Sequence, residues 1–406
     1  MKSLLLGAAG AIPANNQTYF GAIGQIGDAF DSTTFTTLAT ESKVQQVMPM
    51  AGTITRFAVR SSQAPGGSAS WTYRIRVNGV DTAAFVTIAG SATSGEISEP
   101  VVVAAGDLLS MSLVPVTSPA STGTRRWTLE FESTDGTTPL FFRVAIGASS
   151  FPGGIFPISG QGAASAMGGT QGNIMPCAGV IKSFRARCGV VPGGSNGWLI
   201  TLQVNGVATA LAATITSAAT SVISAEANIA VAAGDIVRWN ITKVSAPANE
   251  NTFSVTAQFE PTNDGEQPVM GVSFTNFVSQ SQTEFAYPGG MRAWSTEDEP
   301  AAQVLLFERT IKNFWAKLTV APGSTHSRLV ALRLAGASAY SFTLTTADTT
   351  SDLSEVEAED LSLLAVMQDP TGTPANSFLS WSTTLHTESS ASGDTGIPLG
   401  YWWPGH

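Results

Sequence analysis

Polar and apolar residues alternate along much of the chain with a period of two, the spacing of a strand with one face buried. Thr72-Tyr73-Arg74-Ile75-Arg76-Val77 reads this way, as do Thr128-Leu129-Glu130-Phe131-Glu132 and Ser254-Val255-Thr256-Ala257-Gln258-Phe259. These are expected as half-buried strands. Asn78-Gly79, following the first of them, is a strong signal for a tight hairpin. Asp107 and Asp235 each follow a glycine in a turn that leads into an apolar strand, Leu108-Leu109-Ser110-Met111 and Ile236-Val237-Arg238-Trp239. Turn residues recur roughly every 8–12 positions, as in antiparallel sandwiches and barrels. Helical spacing nowhere persists beyond a turn or two. The pattern predicts an all-β protein.

The pattern also repeats. Ala51-Gly52-Thr53-Ile54-Thr55-Arg56-Phe57 returns 127 residues later as Ala178-Gly179-Val180-Ile181-Lys182-Ser183-Phe184. Val77-Asn78-Gly79-Val80 returns at the same spacing as Val204-Asn205-Gly206-Val207. Val103-Ala104-Ala105-Gly106-Asp107 and Phe131-Glu132-Ser133-Thr134 return 128 later, as Val231-Ala232-Ala233-Gly234-Asp235 and Phe259-Glu260-Pro261-Thr262. A third, diverged copy carries Thr310-Ile311-Lys312-Asn313-Phe314, then Leu332-Arg333-Leu334-Ala335-Gly336-Ala337 in place of the Asn-Gly turn. Ala358-Glu359-Asp360-Leu361 stands where the Ala-Gly-Asp turn is expected, with Glu359 at the glycine position. A short element opens each unit: Thr18-Tyr19-Phe20-Gly21, Pro139-Leu140-Phe141-Phe142 and Pro268-Val269-Met270-Gly271. Pro398-Leu399-Gly400-Tyr401-Trp402-Trp403 is a fourth such element, expected to close the array or dock on a neighbour. The expected organisation is three tandem antiparallel jelly-roll or β-sandwich repeats, at 16–136, 137–265 and 266–392. An apolar N-terminal arm (1–15) and an aromatic tail (393–406) flank them.

Composition narrows the function. Only 12% of the 406 residues are charged, against roughly 25% in ordinary domains, and the net charge is −10. A low-charge surface suits a domain covered by neighbours. The acidic balance, with Arg125-Arg126 as the densest basic feature, argues against a nucleic-acid partner. No run approaches the ~18–20 apolar residues of a membrane span. Met1 to Gly10 resembles the start of a secretory signal, but its apolar core is short and broken by Gly7, with no well-placed cleavage site. It is expected as an attachment arm, with Leu4, Leu5 and Leu6 as docking residues. Cys177 and Cys188 flank a strand-like run that would hold them about 35 Å apart, so both are expected as buried free thiols.

A unit of this length, ending in a small-Gly-Asp-apolar turn and an alternating strand, resembles the jelly rolls of the complement-globular-head and tumour-necrosis-factor type. The phrasing Arg76-Val77-Asn78-Gly79-Val80 … Ala104-Ala105-Gly106-Asp107 is also similar to tandem modules in tailed-bacteriophage structural proteins, including capsid decoration proteins and head fibres. The first resemblance implies a trimer whose domains each pack a flat face about a threefold axis. Three copies in one chain can close into an intramolecular pseudo-trimer, or string out as a rod whose domains assemble between chains. Both arrangements stay open at this point.

Catalytic chemistry is not expected. His326, His386 and His406 lie in the third unit or the tail, without Cys, Asp or Glu at metal-ligand spacing. Glu297-Asp298-Glu299 and the alternating Glu355, Glu357 and Glu359 read as solvated acidic surface. No Gly-x-Ser-x-Gly elbow stands beside a base, and the glycines between Gly153 and Gly172 lack the lysine of a phosphate loop. Tyr401, Trp402 and Trp403 are expected as partner-docking anchors. The expectation is therefore a non-enzymatic virion protein without cofactor or metal, assembled in the host cytoplasm. It would bind the major capsid protein or other virion proteins, with self-association open. The alternative is a carbohydrate-binding or host-adhesion module, favoured if Trp71, Trp127 or Trp198 is exposed at loop tips and disfavoured if they are buried.

Overall fold

A computed structural model of the chain describes residues 1–9, 17–26, 40–119, 124–145, 153–162, 172–248, 252–273, 278–286, 288, 303–306, 308–345, 350–358, 363–375, 377 and 379–387. Apart from one short 3₁₀ turn, the regular structure in these residues is β. Unit 1 begins with β1 (Lys2–Ala9), β2 (Thr18–Gly21), β3 (Gly24–Ile26) and β4 (Gln46–Val47). It continues with β5 (Gly52–Ser61), β6 (Ser70–Val77), β7 (Val80–Ala89), β8 (Ser94–Ile97) and β9 (Val101–Val103). β10 (Leu108–Val116) and β11 (Arg125–Ser133) complete it. Unit 2 runs through β12 (Thr138–Ala145), β13 (Gly154–Pro157), β14 (Gly160–Gly162), β15 (Asn173–Ile174), β16 (Gly179–Cys188) and β17 (Gly197–Val204). It ends with β18 (Val207–Thr216), β19 (Ser221–Ile223), β20 (Ile229–Val231), β21 (Ile236–Val244) and β22 (Thr252–Pro261). Unit 3 comprises β23 (Glu266–Val272), β24 (Glu284–Ala286), β25 (Gln303–Val304), β26 (Arg309–Leu318) and β27 (Ser327–Leu334). Its last strands are β28 (Ala337–Leu344), β29 (Thr350–Ala358), β30 (Leu363–Thr371) and β31 (Leu379–His386).

Each unit is a two-sheet jelly roll. Unit 1 pairs an inner sheet of order β3-β1-β11-β5-β8, with β9 also on β5, with an outer sheet of order β2-β10-β6-β7, with β4 on β10. Units 2 and 3 repeat the plan, as β14-β12-β22-β16-β19 with β13-β21-β17-β18, and β23-β31-β26-β29 with β24-β30-β27-β28. The first strand of each unit lies beside its last. All pairings are antiparallel except the short parallel contacts of β3 with β1 and β14 with β12.

The hairpin expectation holds, and the diverged copy keeps its geometry. Asn78-Gly79, Asn205-Gly206 and Ala335-Gly336 all have two successive positive φ angles, 53° and 80°, 50° and 82°, and 49° and 81°. That is the type I′ signature, which matches the twist of the flanking strands. Each central inner-sheet strand also carries a bulge at the same place, just before Phe57, Phe184 and Phe314.

Outer-sheet β7 alternates between buried and exposed over most of its length. Four inner-sheet strands do not. β1, β11, β22 and β31 are buried almost throughout, polar positions included. The expectation of half-burial for 128–132 and 254–259 is thereby corrected. One face of the inner sheet covers its own core, and the other covers a neighbouring unit. Leu5 and Ala9 belong to the unit 1 core, whereas Leu4 and Leu6, pointing the opposite way, join the unit 3 core.

The three units close a ring. β4 of unit 1 packs on β22 and β16 of unit 2, β15 of unit 2 packs on β31 of unit 3, and β25 of unit 3 packs on β11 of unit 1. Each seam carries a side-chain bond to the neighbour's backbone. Arg187 Nη1 donates to the Ser42 carbonyl at 2.7 Å, Ser380 Oγ to the Gly172 carbonyl at 3.0 Å, and Arg309 to the Lys2 carbonyl at 3.5 Å. The pseudo-trimer is the arrangement observed.

Two further expectations are corrected. Residues 2–9 form no separate arm; they are the first strand of unit 1. Thr18–Gly21 sits on β10 and is the counterpart of β13 and β24 on β21 and β30, not of β12 and β23. The misalignment has a simple origin. Leu4 precedes Gly52 by 48 residues, while Pro139 precedes Gly179 by 40, so the spacing of Thr18, at 34, is the closer match. The expected turn at Glu359-Asp360 lies outside the described residues.

Candidate functional site

The first strands of the three units meet at the centre of the ring, and their sequences are set in register by the sheets behind them. Pairing of Gly7 with Trp127, Phe142 with Val255 and Gly271 with Trp381 makes Leu4, Pro139 and Pro268 equivalent. By the same count Leu6, Phe141 and Met270 are equivalent, as are Ser3, Thr138 and Gln267. Leu4, Leu6, Pro139, Phe141, Gln267, Pro268 and Met270 line one small central cavity with Ile23, Ser159 and Gly160. The apolar layer also interlocks the cores: Phe141 of unit 2 packs in the unit 1 core, Met270 of unit 3 in the unit 2 core, and Leu4 and Leu6 in the unit 3 core.

Below the apolar layer lies a polar one. Ser3 Oγ donates to Thr138 Oγ1 at 2.9 Å, two equivalent positions bonded to each other across the centre. Gln267 grips the backbone of β1 at both ends of its amide. Leu4 N donates to Gln267 Oε1 at 2.7 Å, and Gln267 Nε2 donates to the Leu4 carbonyl at 2.6 Å. An amide that satisfies one backbone donor and one acceptor substitutes for a missing strand partner at little net cost. This clasp closes the only seam that no chain linker of four residues (134–137 or 262–265) spans.

Two buried carboxylates are each paired with a lysine of their own unit. Lys2 pairs with the buried carboxylate of Glu130 at 2.9 Å, and Lys312 pairs with that of Glu266 at 2.8 Å. Burial pushes the Arg309 guanidinium down to about 9, opposed by the nearby Glu130 charge. Burial, with the charge of Glu266, pushes the Cys177 thiol up to about 12. Such a thiol is a poor nucleophile. Both cysteines are free and buried, as expected.

Leu4, Leu5 and Leu6 are therefore brought together with the centre of the ring at 2%, 2% and 5% exposure, and cannot serve as outward docking residues. That expectation is corrected: the apolar run pairs with β11 of its own unit and packs Leu4 and Leu6 into the unit 3 core. Tyr401, Trp402 and Trp403, with His406, Glu297-Asp298-Glu299 and Glu359, lie outside the described residues. Trp71, Trp127 and Trp198 are all about 1% exposed. Trp127 Nε1 donates to the Ala22 carbonyl at 2.7 Å, and Arg125 stacks on Trp71 at 4.4 Å, so these indoles are core and offer no platform to a sugar. His326 Nδ1 accepts from Thr373 N at 3.2 Å, and His386 ends β31 opposite Glu266. Among the described residues, no three His, Cys, Asp or Glu side chains stand close enough to hold a metal ion.

The residues that sequence reasoning missed are Ser3, Thr138 and Gln267. Their signal was the proline that follows Thr138 and Gln267, which sits at the position of Leu4 in unit 1. No protein-family model and no curated protein matches the chain.

Proposed function

We propose that this chain is a structural protein of a virus particle, a capsid decoration or cement protein of the tailed-bacteriophage kind that acts by contact with the major capsid protein. The observation that carries the reading is the closed ring: one chain holds three unlike copies of one jelly roll about one centre. A preassembled ring needs no oligomerisation step, and three diverged copies of each surface can meet three different neighbours on a shell. The resemblance of the Asn-Gly … Ala-Ala-Gly-Asp modules to phage decoration proteins and head fibres supports the same reading. A contact of standard size buries ~1,600 Å², and many symmetry-repeated copies add avidity.

Attachment falls to the aromatic segment 398–403, since Leu4–Leu6 are committed to the ring. The test is co-sedimentation of the purified chain with particles of its source stripped of this protein. Saturable rebinding at a fixed ratio to the shell protein, lost on deletion of 393–406, is the expected result. No rebinding by the full chain would sink the reading and turn attention to adhesion and a glycan screen.

A further inference from the structure

The two repeated motifs of units 1 and 2, Asn-Gly and Ala-Ala-Gly-Asp, are joined to each other by side chains. Asn78 Nδ2 donates to Asp107 Oδ1 at 2.8 Å, and Asn78 Oδ1 accepts from Leu108 N at 2.9 Å. Asp107 is itself fixed, its Oδ2 accepting from Ala104 N at 2.7 Å. Unit 2 repeats the clamp with Asn205 Nδ2 to Asp235 Oδ1 at 2.7 Å, Ile236 N to Asn205 Oδ1 at 2.9 Å and Ala232 N to Asp235 Oδ2 at 2.7 Å. Both clamps lie on the exposed surface, open to water. Unit 3 has Ala335 at the asparagine position and no such clamp.

We propose that Asn78 and Asn205 are latent deamidation sites held unreactive by Asp107 and Asp235. An asparagine followed by glycine is chemically exposed, because the glycine has no side chain to obstruct its own backbone nitrogen. That nitrogen, losing its proton to solvent, attacks the asparagine Cγ. The Cγ–Nδ2 bond breaks and ammonia leaves, forming a five-membered imide. Water then opens the imide to aspartate or to isoaspartate, which adds a carbon to the backbone. The clamp opposes this at two points. It ties the carboxamide oxygen to the backbone N–H of Leu108 or Ile236 on the neighbouring strand, so the side chain must break that bond to swing onto the nitrogen of Gly79 or Gly206. It also ties Nδ2, the leaving nitrogen, to a carboxylate. Displacement of a reacting atom from its attack geometry by about 1 Å can cost on the order of 100-fold in rate. Asp107 and Asp235 are positioning residues here.

The test is peptide mapping of the full chain after incubation in mildly alkaline buffer, reading aspartate and isoaspartate at positions 78 and 205. In the native chain both sites should deamidate about 10–100-fold more slowly than in the same chain unfolded in urea. Asp107→Ala should accelerate position 78 alone, leaving 205 as an internal control in the same molecule, and Asp235→Ala should do the reverse. Asp107→Asn, which keeps one of the two acceptor oxygens and sets an N–H donor in place of the other, should fall between Asp107→Ala and the native chain at position 78. Equal acceleration at both sites in Asp107→Ala would mean general loosening and would overturn the positioning role. So would a native rate at position 78 equal to the unfolded rate, or no change on removing Asp107.

Discussion

Gly7 and Gly271 exist because of the tryptophans across from them. A Cβ built on Gly7 would stand 2.1 Å from Trp127 Nε1, and one on Gly271 would stand 2.3 Å from the Trp381 ring. In unit 2 the roles are exchanged: Phe142 occupies the glycine position and Val255 that of the tryptophan. The three units thus conserve volume across one cross-strand pair while trading which strand supplies it. Gly7→Ala should therefore cost about 1–3 kcal/mol in urea unfolding. Gly7→Phe with Trp127→Val, which copies unit 2, should be less damaging than the two single changes added together. Strict additivity would deny the pair its coupling. A second residue-scale prediction concerns alkaline pH. Burial raises the Tyr73 phenol to about 12, against a lesser opposing effect of Arg125, whose Nε donates to the phenol oxygen at 3.0 Å. Because the folded value lies above the unfolded one, this contribution is intact below pH ~10 and is lost as pH rises toward 12. Cys177 acts in the same direction from its own lower starting value. Stability should fall by up to ~1.4 kcal/mol per pH unit per group in this window. Tyr73→Phe should flatten the slope above pH 10, and an unchanged slope would assign it elsewhere.

At the scale of elements, the sequence declared its strands and hairpins by local rules and left their partners undeclared. Asn78-Gly79 and Asn205-Gly206 specify a turn through backbone preference alone, so both were legible. The pattern of β11 was legible as alternation, but the covering of its polar face by unit 3 was not, because period two says which face differs and not what lies on it. The placement of β1 failed for a related reason: an apolar run at a terminus pairs wherever an inner-sheet edge is free, and that edge is defined by residues 125–133. Removal of residues 1–14 should accordingly unfold unit 1, giving a chain with lost near-ultraviolet signal from Trp127. A folded truncation would show that β1 is dispensable. In the third copy Ala335 holds φ 49°, a left-handed conformation that asparagine adopts more readily than alanine. Ala335→Asn should raise stability by about 0.5–1 kcal/mol, read as a shift in urea midpoint; a decrease would mean that the turn is relaxed by its context.

On the scale of the whole molecule, the units are unequal in charge and inseparable in packing. Residues 266–392 carry fourteen acidic side chains against six basic ones, whereas 137–265 carry five against six. The acidic excess of the chain is thus concentrated in the third unit. The packing of the ring argues that no unit is a domain in the sense of folding alone. The core of each unit contains residues of the next: Phe141 completes unit 1, Met270 and Val272 complete unit 2, and Leu4, Leu6 and Ala58 complete unit 3. Removing one unit would strip apolar surface from both neighbours and leave Glu130 or Glu266 without the cover that sets its environment. Each seam therefore transmits unfolding, unlike the weak interfaces of beads on a string. Scanning calorimetry should show one transition whose calorimetric and van't Hoff enthalpies agree for the entire 406-residue chain. Gln267→Leu, which removes the clasp on Leu4 from the seam that lacks a linker, should split that transition or bring the unit 3–unit 1 seam apart first. Three independent transitions in the unaltered chain would mean that the shared cores contribute contact without cooperativity, and the ring would then be three domains at rest against one another.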